Sequence, residues 1–221
     1  EETIPIAIAS GKDIKLATHE IVNKYIGKNV TICIADSGVD YLHPDLRDRI
    51  KALVSFRVFV NNHPFIWIRG VNKTIIYADD VYNLTDLEEL WRFESTFVSL
   101  ENVPYPWMDL NSHGTHCAGI IAGCGKLSHG KIMGIAPGVD LVVIKVFNYE
   151  GVASIDDILN MLEWLYNTGV DMFDIDVCSF SWGIEMSSDG MDPVSLAVSK
   201  LIKDKNVIVV VAAGNSYIFP Y

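Results

Sequence analysis

The 221-residue sequence is short of several things, and each shortage removes a class of function. It has four cysteines, Cys33, Cys117, Cys124 and Cys178, with no C-x-x-C pair among them, so a zinc knuckle is not expected. Their apolar or small neighbours suit buried thiols better than a disulfide framework. Cys117 and Cys124 would stand about 10 Å apart on one helix, too far to bridge. Positive charge is scarce: 17 Lys and Arg face 28 Asp and Glu, for a net charge of -11. Nucleic-acid binding needs clustered cations, so no nucleic-acid partner is expected and the acids read as a solvated surface. No apolar run reaches the roughly 20 residues of a membrane span. The chain opens at Glu1 with no charged-then-apolar leader, so any targeting segment is expected to have been removed or left out.

Apolar residues are what the chain has in quantity. Half the residues are hydrophobic, enough for the core of one α/β domain or most of one. Val- and Ile-rich runs at 29–36, 139–147, 174–181 and 206–214 read as strands buried on both faces. Helical patterns lie between them, one beginning at His113, the others at 154–169 and 192–205. Ser154 suits an N-cap, with Asp156 and Asp157 in the first turn, and Gly169 suits a C-cap. Strand and helix in alternation predict an α/β fold built on a doubly wound parallel sheet. Residues 51–109, rich in aromatics and acids, break this rhythm and read as an insertion within the single domain. Thr85 with Glu88 predicts a capped short helix from about 86, whose acids are first-turn charges rather than a metal site. Sequons at Asn29, Asn72 and Asn83 favour an extracellular or cell-surface address.

Chemistry in an open parallel sheet gathers at the carboxyl ends of strands. Asp36 closes the first strand in "IADSGVD", and Asn215 follows the last in "VVVAAGNS". Either one alone is equally a turn residue. In "SHGTHCAG", His113 stands at a helix start between Ser112 and Gly114, where an imidazole is exposed. His116, one turn in, is expected to hydrogen-bond within the packed helix. A spacing of three with no glutamate between them argues against a zinc hydrolase.

In chain order, "DSGVD", "SHGTHCAG", "SFSWG" and "AAGN" closely resemble the motifs of the subtilisin-like serine peptidases. "HPDL" and "GIAPGVDLVVIKVF" match as well, so the resemblance runs from about 20 to 216 outside the 51–109 segment. The cysteine after "HGTH" is similar to that of the family's thiol-containing branch. The resemblance implies that Asp36 orients the imidazole, that His113 is the general base, and that Asn215 donates its amide to the oxyanion. These residue types suit the task. A serine hydroxyl becomes nucleophilic when a neutral imidazole takes its proton, and a buried carboxylate fixes the tautomer and stabilises the imidazolium. One oxyanion donor is worth about 3 kcal/mol. Ser181, Trp182 and Gly183 match the family's substrate-binding strand, where an extended peptide pairs as an added strand. Trp182 either walls a substrate pocket or packs in the core. Asp45, in "HPDL", resembles a family position that can ligate calcium. The loop "CGKLSHGKIM" (124–133) lacks the asparagine that would complete such a site, so no cofactor is expected.

The family's nucleophile stands in a "GTSMA"-type segment beyond "AAGN". No Gly-Thr-Ser occurs here, and Ser112, Ser181 and Ser216 stand in other contexts. The chain is therefore expected to be the N-terminal part of a serine endopeptidase, its fold cut before the nucleophile helix. The serine is expected on a continuation or a partner chain, and the enzyme to be made as a precursor acting outside the cytoplasm. Alone, the chain is expected to be inactive. The rival expectation is an inactive binding or structural module that keeps the scaffold. Cys117, beside the catalytic helix, is expected to confer mercurial sensitivity through packing.

Overall fold

The computed structural model describes residues 26–60, 63–71, 74–77, 80–84, 86–101, 105–184 and 188–215. Its centre is a six-stranded sheet of β1 (Thr31–Asp36), β2 (Ile50–Val60), β3 (His63–Ile68), β6 (Asp140–Lys145), β7 (Val177–Phe180) and β8 (Ile208–Val211). The strand order is β3-β2-β6-β1-β7-β8, with a separate antiparallel pair of β4 (Thr74–Tyr77) and β5 (Asp80–Asn83). β1, β2, β6, β7 and β8 pair in parallel, and β3 runs antiparallel to β2 at one edge. The four apolar runs thus become β1, β6, β7 and β8.

Successive residues of a strand face opposite sides, and here both sides are buried. Ile34, Leu53, Leu141 and Val143 face one core with Leu90 and Phe93 of α1 (Leu87–Glu101) and Ala118 and Ala122 of α2 (His113–Ala122). Cys33, Val54, Val142 and Ile144 face the other, with Ile158 and Met161 of α3 (Ile155–Trp164) and Leu201 of α5 (Pro193–Lys205). Helices on both faces give the doubly wound arrangement. Among the described residues no helix is long and apolar enough to cross a membrane.

The 51–109 segment is joined to this sheet rather than set on it. It supplies β2, β3 and α1, and Phe65, Trp67, Phe93 and Trp107 are buried in the first core. Phe65 and Trp107 stack with ring centroids 4.6 Å apart. Thr85 and Asn72 lie outside the described residues. The α1 cap is Asp86, whose Oδ1 accepts the Glu89 N–H at 2.8 Å.

Ser154 caps α3 as expected, in a capping box with Asp157. Gly169 is not a C-cap. The helix passes through a π turn at Leu165–Gly169 into α4 (Val170–Phe173) and ends at Asp174, which takes the left-handed conformation at φ 50°. Glycine stands at 169 because a Cβ there would lie 2.6 Å from Trp164 Cζ3. All four cysteines are free, with Cys33 and Cys178 buried and Cys117 and Cys124 half-buried. Cys124 falls beyond the end of α2, so it does not share a helix with Cys117.

Candidate active site

Asp36 ends β1 between β6 and β7, in the middle of the sheet, and is 2% exposed. Its Oδ1 accepts the Ser37 N–H at 2.7 Å. His113, the first residue of α2, places Nδ1 2.9 Å from Asp36 Oδ1 and 3.0 Å from Oδ2. Its side chain is half exposed. A carboxylate on Nδ1 fixes the proton there and leaves Nε2 as the basic nitrogen.

The local sequence makes this approach possible. A Cβ on Gly114 would lie 2.1 Å from Gly38 O and 3.2 Å from Asp36 Cβ, so only glycine lets the helix start against the strand end. The Gly114 N–H donates to Ser37 Oγ (3.0 Å), which in turn donates to Asp109 Oδ1 (2.9 Å). Asp109 Oδ1 also accepts the N–H groups of Asn111 and Ser112, and its Oδ2 accepts the N–H and hydroxyl of Thr115. This holds Ser112 at φ 80°, a left-handed conformation that a non-glycine residue adopts only when its surroundings impose it. Burial works against ionising Asp109, yet the Thr115 hydroxyl and the three N–H donors together hold its carboxyl below the usual value.

Behind Asp109 lies a buried network that the sequence reading missed. Glu94 of α1 is fully buried. Its Oε1 accepts the N–H groups of Trp107 (2.7 Å) and Met108 (3.0 Å), and Tyr41 donates its hydroxyl to Oε2. Lys145, at the end of β6, donates to Met108 O. Burial raises the Glu94 carboxyl against the pull of these donors, and burial pushes the Lys145 ammonium down to about 8. The 51–109 segment thereby pins residues 107–109, which lead into the His113 helix. The sequence signal for Asp109 was an acid four residues before His113 at a helix start; Glu94 gave none.

Beside His113 opens a cleft of about 240 Å³ lined by Asp36, Asn111, Phe147, Glu150, Ser181 and Trp182. Ser181, Trp182 and Gly183 continue β7 beyond its last paired residue, Phe180. Trp182 packs in the core and also borders the cleft. Its Nε1 donates to Ala35 O at 2.9 Å and its ring packs on Phe180 and Phe147, while its other side lines the cleft.

A buried carboxylate on Nδ1 of a half-exposed imidazole, at the carboxyl end of a parallel sheet, is a base with its orienting group. A model of the subtilase family, peptidase S8, matches residues 27–220. The chain belongs to the subtilase family. It is 32% identical over 195 residues to serine protease AprX of Bacillus subtilis (strain 168), a match covering 86% of this chain and 34% of AprX. It is 29% identical over 195 residues to subtilisin E of the same organism, covering 86% of this chain and 35% of subtilisin E. Among solved structures it resembles sphericase, with TM-score 0.58 at 24% identity, over 87% of this chain and 48% of that one. This subtilase chain thus spans about a third of the length of the curated relatives and half that of the solved structure.

The other residues singled out in this subtilase separate. Asn215 lies exposed four residues past the end of β8, at the same carboxyl end of the sheet, and among the described residues no hydrogen bond joins it to the Asp36–His113 pair. His116 does not pack inside the helix. The buried face of α2 is Gly114, Ala118 and Ala122, and His116 stands exposed in a groove with Asp45 and Trp91. Asp45 Oδ1 accepts the Leu127 N–H at 2.9 Å and ties down the 124–133 loop. It belongs to no group of three or more His, Cys, Asp or Glu side chains with ligand atoms close together among the described residues.

Proposed function

We propose that this chain is the N-terminal part of a subtilase that hydrolyses peptide bonds by a Ser/His/Asp mechanism, secreted and made as a precursor. The observation that carries the reading is the Asp36–His113 contact through Nδ1 at 2.9 Å. Asp36 accepts the Nδ1–H and fixes the tautomer, so the Nε2 lone pair takes the serine proton as the hydroxyl attacks the peptide carbonyl. Asp36 then stabilises the imidazolium, which returns the proton to the leaving amine. Asn215 donates its amide to the oxyanion, and the substrate lies extended along Ser181, Trp182 and Gly183.

The serine belongs to the part of the subtilase beyond this sequence, on a continuation or a second chain. Ile208, Val210 and Val211 of the edge strand β8 are more than half exposed, and beside them Phe180, Trp182, Val194 and Val198 line an apolar cleft. An apolar strand edge exposed in this way is normally paired or covered, which suits a further segment of the subtilase docking there.

The test treats the whole protein with a serine-directed phosphonate and reads the mass of each tryptic peptide. One modified serine outside residues 1–221 is expected. His113→Ala is expected to lower kcat by about four orders of magnitude or more with peptide affinity within about twofold. Equal loss of binding would make His113 structural. Peptide binding without labelling or turnover would make the protein an inactive module on the same scaffold.

A further inference from the structure

The chain that leaves β6 at Lys145 passes along the cleft beside His113 and contributes Phe147, Glu150 and Gly151 to its lining. Two acids line this cleft, and among the described residues no lysine or arginine does. Asp36 is committed to the imidazole, and Glu150 is not. Glu150 is exposed and accepts a hydrogen bond from the neighbouring Tyr149 hydroxyl at 3.2 Å, with no ion pair among the described residues. Its backbone is held on several sides. Asn148 Oδ1 accepts the N–H groups of Glu150 (3.0 Å) and Val152 (2.9 Å), and Gly151 closes the turn at φ 78°. Asn111, two residues before His113, donates its amide to Tyr149 O at 2.9 Å and so ties the turn to the start of α2. A fixed turn therefore presents a carboxylate without a cationic partner at the edge of the cleft.

The walls narrow the choice of cation. Phe147 and Trp182 both line the cleft, with ring centroids 5.8 Å apart and planes at 58°. Aromatic faces take the methylene stem of a lysine or arginine and attract its charged head. A cavity of about 240 Å³ suits one side chain of an extended peptide. An apolar side chain finds the same walls but leaves Glu150 unmatched, and an acidic one is repelled by it, so the carboxylate decides among them. We propose that the cleft takes a lysine or arginine side chain of the peptide substrate, at a residue within two of the scissile bond, and that Glu150 sets this preference. The cleavage half of the inference rests on the function proposed above, while the binding half does not.

The experiment gives the whole protein a set of peptides that carry lysine, its uncharged analogue norleucine, or glutamate at each of the two positions on either side of the scissile bond. At one of these positions kcat/KM for lysine is expected to exceed that for norleucine about three- to tenfold at low salt, with glutamate the poorest. The advantage should shrink as salt is raised, because the carboxylate is exposed. Glu150→Gln is expected to bring the lysine-to-norleucine ratio close to one, and Glu150→Lys to make glutamate the better of the two charged residues. Each variant is read as a ratio of its own rates, so a general loss of activity does not mask the result. A ratio near one at all four positions, or a lysine preference that survives Glu150→Gln, overturns the proposal.

Fluorescence anisotropy of the same peptides on His113→Ala protein reads the Kd without turnover, and the lysine peptide should again bind more tightly, in a way that Glu150→Gln removes. A protein that shows this Glu150-dependent binding but never cleaves peptide refutes the proposed function and supports the lysine and arginine site. Cleavage that ignores the charge of the peptide supports the proposed function and overturns the site.

Discussion

At the scale of single residues, His113 meets Asp36 because its neighbour carries no side chain. A methyl group on residue 114 would sit 2.1 Å from a backbone oxygen, Gly38 O, which cannot rotate away. The helix start would have to lift off the strand end. Gly114→Ala is therefore expected to cost about 2–3 kcal/mol in chemical denaturation and to remove the hydrogen-bonded His113 Nδ1–H signal from the NMR spectrum. An unchanged midpoint with that signal still present would show that the helix start has slack. Asp36, His113 and the small residues beside them were legible in the sequence because the chemistry dictates both their types and their spacing. Asp109 was not, since an acid just before a helix is first of all an ordinary turn residue. His116 was misplaced because the small residues Gly114, Ala118 and Ala122 take the buried face, leaving the larger imidazole outside.

Among elements, the least legible was β2. Its sequence, "IKALVSFRVFV", is interrupted by Lys51, Ser55 and Arg57, which spoils the apolar run that marks a buried strand. Lys51 and Arg57 find partners far away in sequence, and Ser55 finds its own two residues on. Lys51 Nζ donates to Thr31 Oγ1 and Phe173 O, Ser55 Oγ accepts the Arg57 N–H, and Arg57 pairs with Asp157 at 3.2 Å. The π turn before Gly169 escaped for a similar reason, since the Trp164 ring that fills the space is set by tertiary packing. α1 matters through Glu94. Glu94→Ala strands two buried donors, Tyr41 OH and Trp107 N–H, and the part-buried Met108 N–H, a buried donor costing about 1–3 kcal/mol when unpaired. A loss of at least about 3 kcal/mol is expected in urea unfolding. Glu94→Gln keeps an acceptor for the two N–H groups and offers its amide to the Tyr41 oxygen, so about 1 kcal/mol is expected. Equal losses from the two substitutions would place the charge, rather than the hydrogen bonds, at the centre of the network.

Over the whole molecule, a parallel sheet buried on both faces leaves little room for charge, and the chain concentrates what it buries. Among the described residues the buried ionisable side chains other than cysteines and Tyr41 are Asp36, Glu94 and Lys145. Asp36 and Lys145 are register partners at the carboxyl ends of β1 and β6. The scaffold's apolar strands were readable from the sequence; this confinement of charge beside the site was not, because Lys145 looks like the end of an apolar run. It makes global stability a reporter of the site. Burial holds the Lys145 ammonium at about 8 in the folded protein against its ordinary value of 10.5. Below pH 8 both folded and unfolded forms carry the proton, and the cost of burying the charge is fully present. Between about pH 8 and 10.5 the unfolded chain still holds a proton that the folded protein has released, so unfolding free energy rises with pH across that window. The rise has a ceiling of about 3 kcal/mol. Lys145→Met keeps the packing volume and removes the titration, so its stability profile should lack this rise while sharing every other titration with the parent. Denaturation curves for both proteins from pH 7 to 11 measure the difference. Parallel profiles would mean that Lys145 stays charged in the fold, with Glu94 stabilising it fully; a gap that narrows as pH rises above 8 would locate a neutral amine beside the Asp36 carboxylate.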